Sequence, residues 1–391
     1  MKKFRPSLLV TAIVTSSTVL IACNVQSNTV HSKEKSELSA SDIEIKQINQ
    51  RYTTTKIATF NEPWSIAALN NGNLLITERK GTLQLFDPDT KKKTQVKGLP
   101  KVAYGGQGGL GDIVLHPDFN QNHQIYLSYA EAGSGGYGAV VSRGTLDLSQ
   151  PEKPYIKNLK PVWYQVPKVE GQGHYSHRLL FDKEGKLWIS SGERQKFDPA
   201  QDMKSNLGKI LRLNDDGTPA SGNPFVNQGH IAKQVWSLGH RNPLGIAFDA
   251  NDQLWDVEMG PKGGDELNLV IKGHNYGYPI VSNGDHYDGA PIPDHHTRPE
   301  FKAPEISWTP VISPSSLIFY KGDVFPAWKN KALISGLSSE SIVIVDTQAK
   351  PVTEVQRLNM KQRIRGLLEA KDGSIWVIED GENAALLKLT P

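Results

Sequence analysis

His174 sits in the loop Gly171-Gln172-Gly173-His174-Tyr175-Ser176-His177-Arg178, just ahead of an apolar run at residues 179–181. A histidine flanked by glycines is reachable, and its imidazole changes charge near neutral pH, as a general base requires. Taken alone, such a loop histidine is more often a plain surface residue. His174 and His177 are spaced to share a metal, but no third ligand accompanies them. Arg363-Ile364-Arg365 places two guanidinium groups on one side of an extended segment. Paired arginines suit a ligand with several carboxylates, or a developing oxyanion, as well as a solvated strand face. Arg241, beside Asn242, is a third such group. The loop from Gly105 to Asp112 is glycine-rich, but it lacks the Lys-Ser/Thr of a phosphate loop and opens no helix, which argues against a nucleotide site. It offers Gln107 on a backbone that a planar ligand can approach closely. Glu266 lies ten residues before Tyr276, downstream of the turn residues Gly260 and Pro261. A carboxylate with nearby loop carbonyls is a hard oxygen donor set, fitting Ca²⁺ better than a transition metal, although no EF-hand spacing is present.

These groups are scattered over more than half the chain, so the fold must gather them. Six similar segments, each a short apolar run after a turn signal, occur at residues 73–77, 124–129, 186–190, 253–257, 331–335 and 374–378. Four follow Asn-Gly, Glu-Gly, Asn-Asp or Asp-Gly, the dipeptides that close β-hairpins. Their spacing is irregular, about 43 to 78 residues, which places insertions between units. Further strands are expected at residues 66–69, 83–86, 113–115, 210–213, 244–248, 317–320, 342–345 and 386–389. Long amphipathic patterns are scarce. The expectation is an all-β, six-bladed β-propeller with its site at the mouth of the central channel, where loops from all blades converge. Two stacked sheets are the competing architecture.

The chain of 391 residues has a net charge of +3, with no basic run beyond Lys91-Lys92-Lys93. This excludes nucleic acid as the main partner. Residues 1–23 read as an export leader: Lys2, Lys3 and Arg5 precede an apolar stretch too short to span a bilayer comfortably. It ends in Leu20-Ile21-Ala22-Cys23, which resembles a bacterial lipobox. Cys23 is the only cysteine, so no internal disulfide can form, and lipidation explains its position. An ordinary cleaved leader is the alternative. Asn24 favours the outer membrane. Residues 24–48 are polar and read as a tether, leaving 49–391 as the propeller domain.

In combination, PWSIAALNNGNLLITERKG, GQGGLGDIVLHPDF, GHYSHRLLFD, NLGKILRLNDDGTP, GHRNPLG, MGPKGGDELN with NYGYP, and QRIRG resemble the soluble aldose sugar dehydrogenases of the glucose/sorbosone dehydrogenase family, which use pyrroloquinoline quinone (PQQ). The match runs from about Arg51 to Leu389. The resemblance implies a six-bladed propeller that oxidises the C1 hydroxyl of an aldose, passing hydride to PQQ and electrons to a respiratory or artificial acceptor. It implies His174 as the base and Arg241 as the group stabilising charge on the quinone, with Asn242 beside it. It assigns Gln107, Tyr287, Gly336, Leu337, Ser338, Arg363, Ile364 and Arg365 to the cofactor. Gly260 and Pro261 would bind a catalytic Ca²⁺ through their carbonyls, and Glu266 and Tyr276 match a second, structural Ca²⁺ position. Two departures stand out. Ser338 replaces a lysine common in relatives, which should weaken the grip on a PQQ carboxylate. His177 stands where small residues are usual, and would narrow the sugar's approach or act as a rival base. Expected partners are aldoses, an electron acceptor and a membrane reached only through the lipid, with the protein a monomer or homodimer.

Two other readings fit a propeller. A Ca²⁺-dependent lactonase would place acidic metal ligands in the channel and would not need the arginine pair. A propeller that only binds glycans or proteins would show a degraded site.

Overall fold

The computed structural model describes residues 47–391. The leader, Cys23 and almost all of the tether lie outside the described residues. Six four-stranded antiparallel sheets account for nearly all the regular structure. Among the described residues, helix is confined to one short turn, Phe119–Asn122, and four 3₁₀ turns. The inner strands, Pro63–Ala68, Leu110–Leu115, Ser176–Phe181, Pro243–Phe248, Pro314–Phe319 and Ile364–Glu369, contact one another in cyclic order, the last returning to the first. This is the expected six-bladed propeller. Each repeated apolar segment forms the second strand of its blade: Leu74–Glu78, Gln124–Gly133, Leu187–Ser191, Leu254–Glu258, Ala332–Gly336 and Ile375–Glu379.

Closure comes from the chain ends. Strand Thr53–Phe60 pairs with Ala384–Thr390 and completes the sixth blade, so the ring closes by hydrogen bonds. That removes two edges that would otherwise be open to pairing with other chains. Each blade buries both faces against its neighbours, and six apolar clusters fill the six interfaces. Leu75, Leu83, Ile113 and Leu127 join blades one and two. Leu333, Ile344, Leu367 and Val377 join five and six. Turn chemistry repeats as well. Asp182 and Asp249 each cap the turn that follows, and each accepts the indole N–H of the tryptophan six residues on, Trp188 (2.9 Å) and Trp255 (3.2 Å).

The inner strands share one irregularity that positions the site. All six carry a β-bulge within their first few residues, at the same end of the channel. A bulge breaks the strict alternation of side chains and re-aims those beside it. Trp64, Asp112, His177, Arg178, Ser315 and Arg365 all lie in or beside these bulges. Their polar groups stitch neighbouring blades together. Ser65 Oγ donates to Asp112 Oδ1 (2.5 Å), Asp112 Oδ2 accepts Leu179 N–H (2.8 Å), and Ser315 Oγ donates to the Ile364 carbonyl (2.7 Å). Arg178 reaches two further blades, donating to the carbonyls of Leu244 (2.7 Å) and Ser315 while its guanidinium lies 3.8 Å from the Trp64 ring centroid.

Candidate active site

The bulged ends surround a cavity of about 290 Å³ lined by Trp64, Gln107, His177, Met259, Arg363 and Arg365 among others. A larger cavity, about 1220 Å³, opens at the opposite ends of the inner strands, beside Phe181, Phe248, Phe319 and Glu369. It contains none of the candidate residues.

His174 is almost fully buried at the start of the third blade. Two facing loops with left-handed backbone hold it: His174, Ser176 and His177 on one side, Arg194, Gln195 and Phe197 on the other, all with φ between 46° and 62°. Such a concentration of unfavourable φ in residues other than glycine persists only where the surroundings enforce it. Here Arg194 enforces it, donating to the carbonyls of Gly173 (2.7 Å), Tyr137 and Gly171 (both 2.6 Å). Gly192 admits no side chain, since a Cβ would lie 2.1 Å from the His174 carbonyl oxygen. Gln107 fixes the loop from the second blade, accepting the His174 N–H at 2.8 Å.

The imidazole Nδ1 is 2.5 Å from Glu193 Oε1. Glu193 Oε2 accepts the N–H groups of Lys196 (2.5 Å) and Phe197 (2.7 Å). Burial alone would raise the Glu193 carboxyl, but the bond from His174 and these N–H groups outweigh it and hold it below its usual range. For His174 the balance runs the other way. Burial lowers its pKa, Glu193 opposes that, and the Arg241 charge adds to the lowering. The pair is therefore a carboxylate and a neutral imidazole. An ionised carboxylate only accepts hydrogen bonds, so Nδ1 carries the proton and Nε2 keeps its lone pair.

The Arg241 guanidinium donates to the carbonyls of Met259 (2.9 Å) and Gly260 (2.5 Å) and approaches the Tyr287 hydroxyl at 3.4 Å. It pairs with no carboxylate among the described residues, and its buried Nε has no partner. Its backbone N–H donates to Glu258 Oε2 (2.6 Å), while its carbonyl accepts Glu193 N–H (2.9 Å), tying it to the His174 loop. Arg363 and Arg365 both bond Asp380, at 2.9 Å and 2.7 Å. Ser338 is exposed on the rim and shares a hydrogen bond with Ser313 (2.8 Å), beside the buried Leu337 and Gly336. Tyr287 is 72% exposed over the mouth.

Asn242 is withdrawn from the cavity, Ile364 faces the core as a period of two implies, and His177 lines the cavity wall, which fits the expected narrowing of the sugar's approach. The Ile364 side chain turns into the apolar interface of blades five and six, away from the two arginines. Asn242 is fully buried behind the mouth, where it accepts from Ser176 Oγ (2.9 Å). His177 is a wall residue, not an open base. Its ring stacks on Trp64 (centroids 5.0 Å apart), Nδ1 meets Ser128 Oγ at 2.8 Å, and burial pushes its pKa down to about 3. Sequence reasoning missed Glu193, Glu258 and Asp380. Each follows a second strand at its mouth end or closes it, so the acidic residue just after the repeated apolar run was the available signal.

The cation positions differ in how well their donors fit. The Gly260 carbonyl is held by Arg241, and Pro261 is buried beside it. Two neutral carbonyls next to a guanidinium would hold Ca²⁺ only with charge supplied by an anionic ligand. Glu266 and Tyr276, with Glu258, border a cavity of about 10 Å³, the scale of one ion or water. The Tyr276 hydroxyl is committed to Leu269 and Ile271, so only its carbonyl is available there, and that already accepts His295 Nε2 (3.0 Å). Burial, reinforced by Glu258, holds the Glu266 carboxyl well above its usual range.

A six-bladed propeller with a buried histidine–carboxylate pair tied by Gln107 to an arginine-lined cavity defines a class of channel-mouth site. The glucose/sorbosone dehydrogenase family profile matches residues 60–388, and the chain belongs to that family. It is 36% identical over 342 residues to the aldose sugar dehydrogenase YliI of Escherichia coli K12, covering 85% of this chain and 90% of the relative. The crystal structure of the soluble aldose sugar dehydrogenase from Escherichia coli in the apo-form superposes with a TM-score of 0.81 at 34% identity, covering 87% of this chain and all of that one. The PQQ-bound form of the Streptomyces coelicolor aldose sugar dehydrogenase superposes with a TM-score of 0.72 at 28% identity, covering 88% and 99%.

Proposed function

We propose that this protein oxidises the C1 hydroxyl of aldose sugars to the lactone, with PQQ as hydride acceptor. The observation that carries this reading is the buried His174–Glu193 pair beside Arg241, whose Nε is unpartnered, joined through Gln107 to a cavity walled by arginines. The cavity walls include Arg79, Arg363 and Arg365 against Asp380, with Glu62 paired to Arg79 (3.2 Å), leaving one guanidinium charge in excess. That excess of positive charge suits a planar ligand with several carboxylates. Its volume is near the lower end for small-molecule sites. A lactonase with acidic metal ligands in the channel does not match these walls, and the site is not degraded as a mere binding propeller would predict.

Glu193 keeps His174 in the tautomer whose Nε2 can accept a proton. That nitrogen takes the proton of the C1 hydroxyl, and the C1–O bond becomes the lactone carbonyl as the C1 hydrogen leaves with its electron pair. PQQ, when held by Gln107, Arg363 and Arg365, would supply a quinone able to accept this hydride, and Ca²⁺ at the Gly260 and Pro261 carbonyls would polarise it. Arg241 presents a fixed positive charge where an oxyanion develops, a contribution worth several kcal/mol, roughly 3–4, in comparable sites. Gln107 keeps the His174 loop in place, and Asp380 holds Arg363 and Arg365 in register for the cofactor's carboxylates. Electrons then pass to an external acceptor. We further propose export and lipid attachment at Cys23, supported by Leu20-Ile21-Ala22-Cys23.

His174→Ala tests the assignment. Lactone formation should fall by orders of magnitude while PQQ stays bound, read from its absorbance after desalting. Wild-type turnover in the variant would remove His174 from the mechanism.

A further inference from the structure

Beneath Arg241, inside the fourth blade, lies a polar cluster that the proposed reaction does not use. His240, Asp256, Glu258 and Asn268 are buried, three of them completely. One ligand atom from each of His240, Asp256 and Glu258 lies within 4.8 Å of the others. His240 Nδ1 is 3.1 Å from Glu258 Oε1 and 3.6 Å from Asp256 Oδ2. A tetrahedral centre with bonds of about 2.0–2.1 Å sets its ligands roughly 3.3–3.5 Å apart, so these two separations bracket the spacing around one metal ion.

Two observations show that the cluster lacks a partner. Asp256 Oδ2 and Asn268 Oδ1 are buried with no hydrogen-bond partner. Asp256 Oδ2 is also the oxygen that faces the imidazole nitrogen. Native proteins seldom leave such acceptors unsatisfied, and a buried carboxylate without a counter-charge is costlier still. No lysine or arginine forms an ion pair with Asp256, Glu258 or the adjacent Glu266 among the described residues. The Arg241 guanidinium bonds the carbonyls of Met259 and Gly260 and no carboxylate of the cluster. The imidazole is already steered as a ligand, since its other nitrogen, Nε2, meets Ser237 Oγ at 2.8 Å.

We propose that His240 Nδ1, Asp256 Oδ2 and Glu258 Oε1 form a buried three-ligand site for one first-row divalent cation. The imidazole nitrogen and full burial distinguish it from the all-oxygen Ca²⁺ positions at Gly260 and Glu266, and they select a Zn²⁺-like ion over Ca²⁺. Glu258 is shared: Oε1 faces the proposed ion, and Oε2 holds the Arg241 backbone N–H. The ion would thus anchor the backbone that aims Arg241, making Glu258 a positioning residue.

Co²⁺ is the probe. The full chain is stripped of metal, held in excess Ca²⁺ to fill oxygen sites, given Co²⁺ and desalted. The expected result is about one equivalent of Co²⁺ retained per chain, with a visible absorption band characteristic of mixed nitrogen and oxygen ligands. His240→Gln and Asp256→Asn should each weaken retention at least ~10-fold. Glu266→Gln should retain the ion. No Co²⁺ retained by the wild-type chain overturns the proposal without reference to any variant. Retention that survives both ligand substitutions, or is lost only in Glu266→Gln, places the ion elsewhere and overturns it equally.

Discussion

Glu193→Gln changes one oxygen to an amide without changing shape, and its effect can be worked out from the hydrogen bonds. Glu193 Oε2 accepts two backbone N–H groups, from Lys196 and Phe197, while Oε1 faces His174 Nδ1. A glutamine keeps its carbonyl oxygen toward the two N–H groups, because the reverse orientation sets an NH₂ against two donors. Its NH₂ then faces Nδ1 and requires that nitrogen to accept. The proton moves to Nε2, which loses the lone pair needed to take the sugar's proton. Losing a positioned general base costs ~10²–10⁴ in rate, and an analogous tautomer change in a Ser-His-Asp triad costs ~10⁴. We therefore expect kcat to fall about 10²–10⁴-fold with PQQ affinity unchanged, measured by dye reduction at saturating sugar and PQQ. The pH profile adds a second readout. The base works only when neutral, and burial sets its pKa below 6.5, so kcat/KM should fall as pH drops through that lower value and stay level above it. Removing the carboxylate that favours the charged ring should move the limb further to acid. Unchanged kcat with an unchanged profile would refute the role given to Glu193.

Four more outcomes are expected. Arg365→Gln leaves Asp380 half-compensated and removes one of the proposed cofactor contacts, so PQQ affinity should fall ~10-fold or more, measured by fluorescence titration. Ser338→Lys should tighten PQQ binding, because the rim gains a charge beside the arginines. Asp112→Ala strips the buried Arg178 of its carboxylate (3.5 Å away) and Ser65 of its acceptor, and should cost about 3–5 kcal/mol in urea unfolding. Cys23→Ser should abolish incorporation of labelled fatty acid in bacterial cells while leaving dehydrogenase activity in the soluble fraction.

The six repeated runs located the second strand of every blade, because these strands are buried on both faces and so read as unbroken apolar stretches. The outer strands escaped: Tyr155–Tyr164 and Thr353–Asn359 alternate with exposed residues and carry little apolar signal. At the site, glycine-rich loops and a period of two picked out His174, Arg241 and the Arg363/Arg365 pair, although His174 and Arg241 are buried in the fold. Glu193 and Asp380 were not legible, since an acid at a strand end looks like any solvated turn until the partner blade is in place. His177 misled for a related reason. Its loop context suggested exposure, but the bulge at Ser176 turns the ring under Trp64, where Gly111 makes room for it: a Cβ there would lie 1.9 Å from the imidazole. The period of two that pairs the arginines also turns Ile364 the other way, into the core.

The central claim is that this mouth binds PQQ and oxidises a sugar there. The direct test is reconstitution of metal-stripped protein with an aldose and an electron-accepting dye, adding PQQ and Ca²⁺ separately and together. The account predicts dye reduction and lactone formation only when both are present. Failure across a panel of aldoses, with no PQQ absorbance retained after desalting, would contradict it.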